Sequence, residues 1–160
     1  MATLEKLLDY LDENHMEYMH TVHETAYRAS EVACAEHMLP CSFAKAVVFS
    51  TNMGFGMAVL PADCVLDLKE LRACLGAPHV RLATEEELKR LFPECELGAM
   101  PPVGGLFGLP VYVDSGMAAD ASIAFNAGTH RDVVHMRFQD YEALAKPAFI
   151  AVAKPLAVEA

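Results

Sequence analysis

Nine residues, from Phe43 to Thr51 (FAKAVVFST), constrain the fold more than any other stretch of the chain. Aromatic and β-branched residues favour a strand, and successive side chains of a strand point to opposite faces. Phe43, Lys45, Val47 and Phe49 then share one face, and Ala44, Ala46 and Val48 the other. Both faces are apolar apart from Lys45, as in a strand covered on two sides in the middle of a sheet. Gly56 to Pro61 reads as a second strand, with Asn52-Met53-Gly54 as the turn of a hairpin. An ammonium in such a strand is costly unless it meets an anion or reaches water. Lys45 therefore either faces negative charge or snorkels from a strand end, and the residues leave both readings open.

The other elements follow from periodicity and punctuation. Leu4, Leu7, Leu8 and Leu11 form one apolar stripe, so a helix is expected from a Thr3 cap to about Asn14. Tyr18 to His23 reads as a short strand. Thr25 or Ser30 opens a helix through Glu31, Val32, Ala35 and Leu39 that Pro40 stops. Asp67 with Glu70, and Thr84 with Glu87, have the spacing of capping boxes. The first opens a helix with Leu68, Leu71 and Leu75, closed by Gly76; the second carries Leu88, Leu91 and Phe92. Strands are expected at His79 to Leu82, Val111 to Asp114, Ser122 to Ala127, Val133 to Phe138 and Phe149 to Val152, with a short helix at Tyr141 to Ala145. Strands come in hairpin-like pairs with helices interspersed. This predicts one α/β domain of the α+β type over residues 1–160, with a compact, mixed, mainly antiparallel sheet flanked by helices.

Charge and cysteine usage narrow the function. The net charge of −10 argues against broad electrostatic binding to nucleic acid. Any such contact must be small and locally positive. No run of residues is long and apolar enough for a membrane span. The opening Met1-Ala2-Thr3-Leu4-Glu5-Lys6 enters an amphipathic pattern with no signal-peptide core, so a cytoplasmic location is expected. Five cysteines, an odd number with no CxxC pair, suit free thiols rather than a disulfide framework or structural zinc. No nucleophile elbow, HExxH, Walker or GxGxxG motif occurs.

Two loops could carry chemistry. Gly98-Ala-Met-Pro-Pro-Val-Gly-Gly105 is too rich in Gly and Pro for helix or ladder. Its exposed N–H groups could hold a phosphate or an oxyanion, or it could be a structural Ω-loop. His130 ends the segment Asn126-Ala-Gly-Thr-His, where it could orient a substrate, move a proton or simply pack. His135 and Arg137 lie on the face of Val133 and are expected to meet solvent. His20 and His23 point to opposite faces of their strand and make a poor chelate. Glu85-Glu86-Glu87 is a solvated helix start rather than a metal site.

Together these features resemble the YbaK/ProX family, which comprises bacterial trans-editing deacylases and the editing insertion domain of prolyl-tRNA synthetases. The similarity runs from about Tyr18 to Pro147. It rests on His23-Glu24-Thr25-Ala26 leading into Ser30-Glu31-Val32-Ala33, on Lys45-Ala46-Val47-Val48-Phe49, on Gly98-Ala99-Met100-Pro101-Pro102, and on Phe125-Asn126-Ala127-Gly128-Thr129-His130. The resemblance implies a sheet partly closed like a barrel and no metal or organic cofactor. It implies hydrolysis of the aminoacyl ester of a mischarged tRNA, with tRNA for proline the expected substrate. It places Lys45, Gly98 and His130 in catalysis, and Ala99, Met100, Pro102, Gly128, Thr129, His23 and Tyr27 against the substrate. Amides at Gly98 and Ala99 would face the reacting carbonyl, Lys45 would balance negative charge near the terminal nucleotide, and His130 would place the adenosine or the attacking water. The partners implied are the acceptor 3′ end of tRNA, with action in trans, and a prolyl-tRNA synthetase. Ala46 stands where many members carry a hydroxyl residue, so alanine, cysteine, serine and threonine all remain candidates for the amino acid removed. A non-catalytic module binding tRNA ends or a synthetase, and a hydrolase of another small acyl ester, are the alternatives.

Overall fold

The computed structural model describes residues 2–27, 31–33, 36, 40–119 and 121–155. In chain order the elements are α1 (Thr3–Glu13), β1 (Tyr18–Val22), β2 (Phe43–Thr51), β3 (Gly54–Pro61), β4 (Cys64–Leu66), α2 (Leu68–Leu75), β5 (Val80–Leu82) and α3 (Glu85–Leu91). Then come β6 (Val111–Asp114), β7 (Ser122–Asn126), β8 (Asp132–Arg137), α4 (Phe138–Ala145), β9 (Ala148–Ile150) and β10 (Ala153–Pro155). Of the helix expected after Thr25 or Ser30, residues 31–33 are helical, while Ser30, Ala35 and Leu39 lie outside the described residues.

The main sheet runs β1-β8-β7-β2-β3-β6-β9, with β5 also on β2. The β1·β8, β7·β8, β2·β3 and β2·β5 pairs are antiparallel. The β2·β7, β3·β6 and β6·β9 pairs are parallel. The sheet is thus mixed and mainly antiparallel, as the hairpin-like spacing predicts, with β1 and β9 as its outer strands. β2 is central. One edge carries β3 along its whole length; the other is shared by β7, at Phe43 and Ala44, and β5, at Phe49 to Thr51. Lys45 lies where these two neighbours diverge.

The two faces of the sheet bury different cores. Ala44 and Val48 of β2, Met57 and Val59 of β3, Val111 and Val113 of β6, and Phe125 and Val134 of β7 and β8 face α1 and α4, where Leu7, Leu11, Phe138 and Tyr141 complete one cluster. The opposite face holds two smaller clusters. One joins Phe43, Ala124 and Val133 with Ala26, Val32 and Ala33. The other joins Phe49, Ala58 and Leu60 with Leu71 of α2. Lys45 shares this face, between Phe43 of the first cluster and its β3 partner Leu60 of the second. A half-buried ammonium at the seam of two apolar clusters is the arrangement that the strand pattern foreshadows.

Several boundaries differ from the sequence expectations, each for a visible reason. Thr3 does not cap α1: Ala2 occupies the N-cap without a side-chain bond, and Thr3 is buried against Gly128. Thr84 and Glu87 close their capping box, whereas Asp67 forms only half of one. Its carboxylate accepts from Lys69 and Glu70, but its own amide donates to Val152 O. α4 starts at Phe138 rather than Tyr141, because both rings are buried. The single strand expected at Phe149 to Val152 is split into β9 and β10, since the amides of Val152 and Ala153 donate to the Asp114 carboxylate at 3.0 and 2.9 Å instead of a ladder. β10 then pairs with β4, a strand too short to leave a periodic signal. Among the described residues Cys41, Cys64, Cys74 and Cys95 are free thiols. No described helix is long and apolar enough to cross a membrane.

Candidate functional site

The two loops singled out in the sequence are stitched together. Glu96 N donates to Gly128 O at 2.9 Å, and Gly128 N donates to Ala99 O at 2.9 Å. The Glu96 carboxylate accepts the His130 amide at 2.8 Å, and the His130 ring nitrogen Nε2 lies 2.6 Å from Leu97 O. Two glycines permit this closeness. Gly98 has φ +86°, and a Cβ there would stand 3.5 Å from His130 Cε1. Gly128 has φ +95°, and a Cβ there would meet Thr3 Cβ at 2.9 Å and the Leu4 amide at 3.2 Å. Both φ values lie where an L side chain is strained.

These bonds engage part of the polar backbone in and next to the loop. Leu97 O, Ala99 O and Pro102 O accept from His130 Nε2, Gly128 N and Tyr141 Oη, respectively. The Ala99 amide donates to Glu96 O at 3.0 Å. It is therefore taken up by a turn and is not free for a carbonyl, contrary to the expectation for Ala99. The amides of Gly98 and Met100 donate to no described residue. Ala99, Met100, Pro101 and Pro102 are buried.

His130 is 5 % exposed. A carbonyl can only accept, so its Nε2 carries the proton toward Leu97 O, and in the neutral ring Nδ1 is an acceptor. The same logic applies to His23, whose Nδ1 faces Glu24 O at 2.5 Å, leaving Nε2 as an acceptor. His23 Nε2, His130 Nδ1 and Asn126 Oδ1 are buried and have no hydrogen-bond partner among the described residues. Buried polar atoms are nearly always paired, so a cluster of exceptions marks a place for a ligand. Tyr27 packs its ring on that of His130, centroids 4.8 Å apart, while 72 % exposed. The chain around it is fixed by Ala26 N donating to His130 O and His23 N to Arg131 O. Thr129 does not face this group: its hydroxyl donates to Asp132 at 2.6 Å and accepts the Arg131 and Asp132 amides, closing the β7–β8 turn.

Strand register brings Lys45 alongside. β2 and β7 run parallel with Phe43 opposite Ala124 and Ala44 opposite Phe125, so Lys45 is level with Asn126. Directly paired residues share a face. Asn126 pairs with Val133, and Val133 with Thr21, two residues before His23. Lys45, Asn126, Val133 and Thr21 thus form one row across four strands, and His23 continues their face. Burial pulls the Lys45 ammonium below its ordinary pKa, against the opposing pull of nearby Cys64 and Asp63. The same face carries Glu36, bonded to Thr21 and, at 2.8 Å, to His135. Burial alone would raise the Glu36 carboxyl, but these bonds and the nearby His135 and His23 rings more than offset it and hold it below its ordinary value. His135 is thus held by Glu36 rather than left to solvent, whereas Arg137 is exposed and pairs with Asp140. His20 bonds Asp132 at 2.6 Å on the opposite face from Thr21.

Asn126 and Glu96 are the site residues that the sequence reading passed over. An asparagine ending an otherwise apolar strand was a usable signal; the Glu96 clamp, made across 34 residues, had none. Clefts of about 500 Å³, lined by Ser50, Arg72, His79 and Arg81, and about 560 Å³, lined by Arg137, Gln139 and Glu142, lie elsewhere. Neither touches Lys45, Gly98 or His130. Among the described residues no cluster of His, Cys, Asp and Glu could hold a metal.

Residues 23–144 match the aminoacyl-tRNA editing domain family. A crystal structure described as that of a candidate trans-editing enzyme for prolyl-tRNA synthetase superposes with a TM-score of 0.83, at 22% identity, covering 96% of this chain and 98% of that one. A hypothetical protein, APE2540, gives a TM-score of 0.84 at 17% identity over 93% of this chain and 99% of its own. A candidate signal transduction protein from Marinobacter aquaeolei VT8 gives 0.75 at 20% identity, covering 96% of this chain but 31% of that one. At these identities the structural likeness speaks for the fold alone. No curated protein matches the sequence.

Proposed function

Because the chain belongs to the aminoacyl-tRNA editing domain family, we propose that it hydrolyses the ester joining a wrongly attached amino acid to the terminal adenosine of tRNA, and does so in trans. The observation that carries this reading is the joined pair of loops, where Gly98, its amide unengaged, packs against His130 and a half-buried Lys45 is level with Asn126.

An aminoacyl ester is already activated, so positioning and stabilisation of the tetrahedral oxyanion suffice. The Gly98 amide, which donates to no described residue, replaces the pair of Gly98 and Ala99 as oxyanion donor; the buried Met100 amide next along the loop is a second. Lys45 supplies positive charge for a phosphate of the terminal nucleotide or for the oxyanion. His130 Nδ1 accepts a hydrogen bond from the attacking water or a ribose hydroxyl. Tyr27, exposed on the His130 ring, offers a face on which the terminal base can stack. His23, Ala99, Met100, Pro102 and Gly128 shape the walls. Thr129 acts by fixing the β7–β8 turn rather than by touching substrate. Only the single-stranded 3′ end needs to enter, which suits a chain of net charge −10.

The substrate is a tRNA for proline carrying alanine, cysteine, serine or threonine, and prolyl-tRNA synthetase is the matching partner. Deacylation of a panel of mischarged tRNAs tests the reading. We expect at least one ester to be cleaved well above its uncatalysed rate. Equal cleavage of simple amino-acid esters without tRNA would point instead to a general acyl-ester hydrolase. No cleavage of any ester would leave a tRNA-end binding module.

A further inference from the structure

The three unpartnered atoms of the site have one chemical sign. In the neutral rings His23 Nε2 and His130 Nδ1 are acceptors, because the other nitrogen of each ring donates to a carbonyl, and Asn126 Oδ1 is an acceptor by nature. Asn126 is 7 % exposed and His130 5 %. A buried acceptor left alone loses its hydration without return. A ligand that fits must therefore bring donors, and several of them close together.

Resting on the deacylase reading, in which His130 Nδ1 takes the water or a ribose hydroxyl, we propose that the other two acceptors, His23 Nε2 and Asn126 Oδ1, read the free α-amino group of the attached amino acid, so that the site takes esters with an unmodified amine. An ammonium has three donors and no acceptor, the complement of the set. Its position also follows from the chemistry. The amine sits on the carbon next to the reacting carbonyl, so a carbonyl held at the Gly98 amide places the amine among the neighbouring side chains. Charge agrees. The face shared by Asn126 and His23 carries the Glu36 carboxylate, held by Thr21 and His135. Of the described cations nearby, Arg131 directs its Nε to His23 O at 3.4 Å on the exposed side, and Lys45 is level with Asn126 but three strands away from Thr21 and His23. A hydroxyl in place of the amine brings one donor and no charge, and leaves an acceptor bare.

The test compares each of the alanyl, seryl, cysteinyl and threonyl esters of tRNA with the ester of the matching α-hydroxy acid, such as lactyl for alanyl. The pairs are nearly equal in size, and each rate is divided by its own uncatalysed rate. The amino ester is expected to be enhanced about 10- to 100-fold more than its hydroxy counterpart. His23→Ala and Asn126→Ala should slow the amino ester more than the hydroxy ester and so narrow that ratio. Equal enhancement of both esters overturns the inference while leaving the deacylase reading intact. So does a rate that falls when the terminal adenosine lacks its 2′-hydroxyl but ignores the amine. Failure to cleave either member of every pair overturns both.

Discussion

On the proposed function, Lys45→Ala is expected to lower the deacylation rate by about 100-fold or more, the loss usual when a charge aimed at a developing oxyanion or a transferring group is removed. The same substitution leaves the protein no less stable. The ammonium lies half-buried between the cluster of Phe43 and that of Leu60, and burial holds its pKa below 10.5. On the proposed function, that cost is offset when the ammonium meets the negative charge of the substrate. The sign of the linkage can be measured. Between the depressed folded pKa and 10.5 the unfolded chain binds more protons than the native one, so stability rises with pH through that window. Below it the full cost of holding the ammonium is present. Urea midpoints should therefore place Lys45→Met above the wild type near neutral pH, with the gap closing as pH approaches 10.5. A variant as active as the wild type would remove Lys45 from the mechanism. A variant that unfolds would make it a structural residue.

Gly128→Ala is a damaging small change within the candidate site, expected to destabilise the protein by about 2–4 kcal/mol from backbone strain and overpacking together. Its φ of +95° strains any side chain, and the new Cβ would press on Thr3 and the Leu4 amide at the start of α1. The backbone of Gly128 also accepts from Glu96 and donates to Ala99, so displacement opens the seam between the two loops. Gly98→Ala is the control. It shares the positive φ, but its Cβ reaches only ordinary contact with His130, so about 1 kcal/mol is expected. Equal urea midpoints for the two variants would show that contact with α1 is not what fixes Gly128.

Local signals carried much of this structure. The β2 strand has the bounds that its apolar run predicts, and Thr84 with Glu87 closes the capping box that its spacing announces. Gly76 ends α2 in the left-handed conformation for the same reason. What escaped depends on distant partners. Nothing near Val152 announces that Asp114 will take its amide and break the last strand in two. Nothing near Ala99 announces that its N–H will turn back to Glu96. In the site, Lys45, Gly98 and His130 stood out because each breaks a local rule: a charge in an apolar strand, glycine and proline clustered where no element forms, a histidine after a glycine turn. Glu96 and Asn126 break no rule strongly enough, and their importance emerges only when β7, β8 and the Gly98 loop are brought together.

The proposed function requires one site, built by β2, the Gly98 loop and the β7–β8 turn, to receive the acylated adenosine. It is tested most directly by titrating the labelled protein with a non-hydrolysable analogue, alanine joined to 3′-amino-3′-deoxyadenosine by an amide, and following backbone amide resonances. Shifts at Lys45, Gly98, Asn126 and His130 that saturate with one affinity are the expected result. Shifts confined to the cleft of Arg72, His79 and Arg81, with those four residues unmoved, would contradict it.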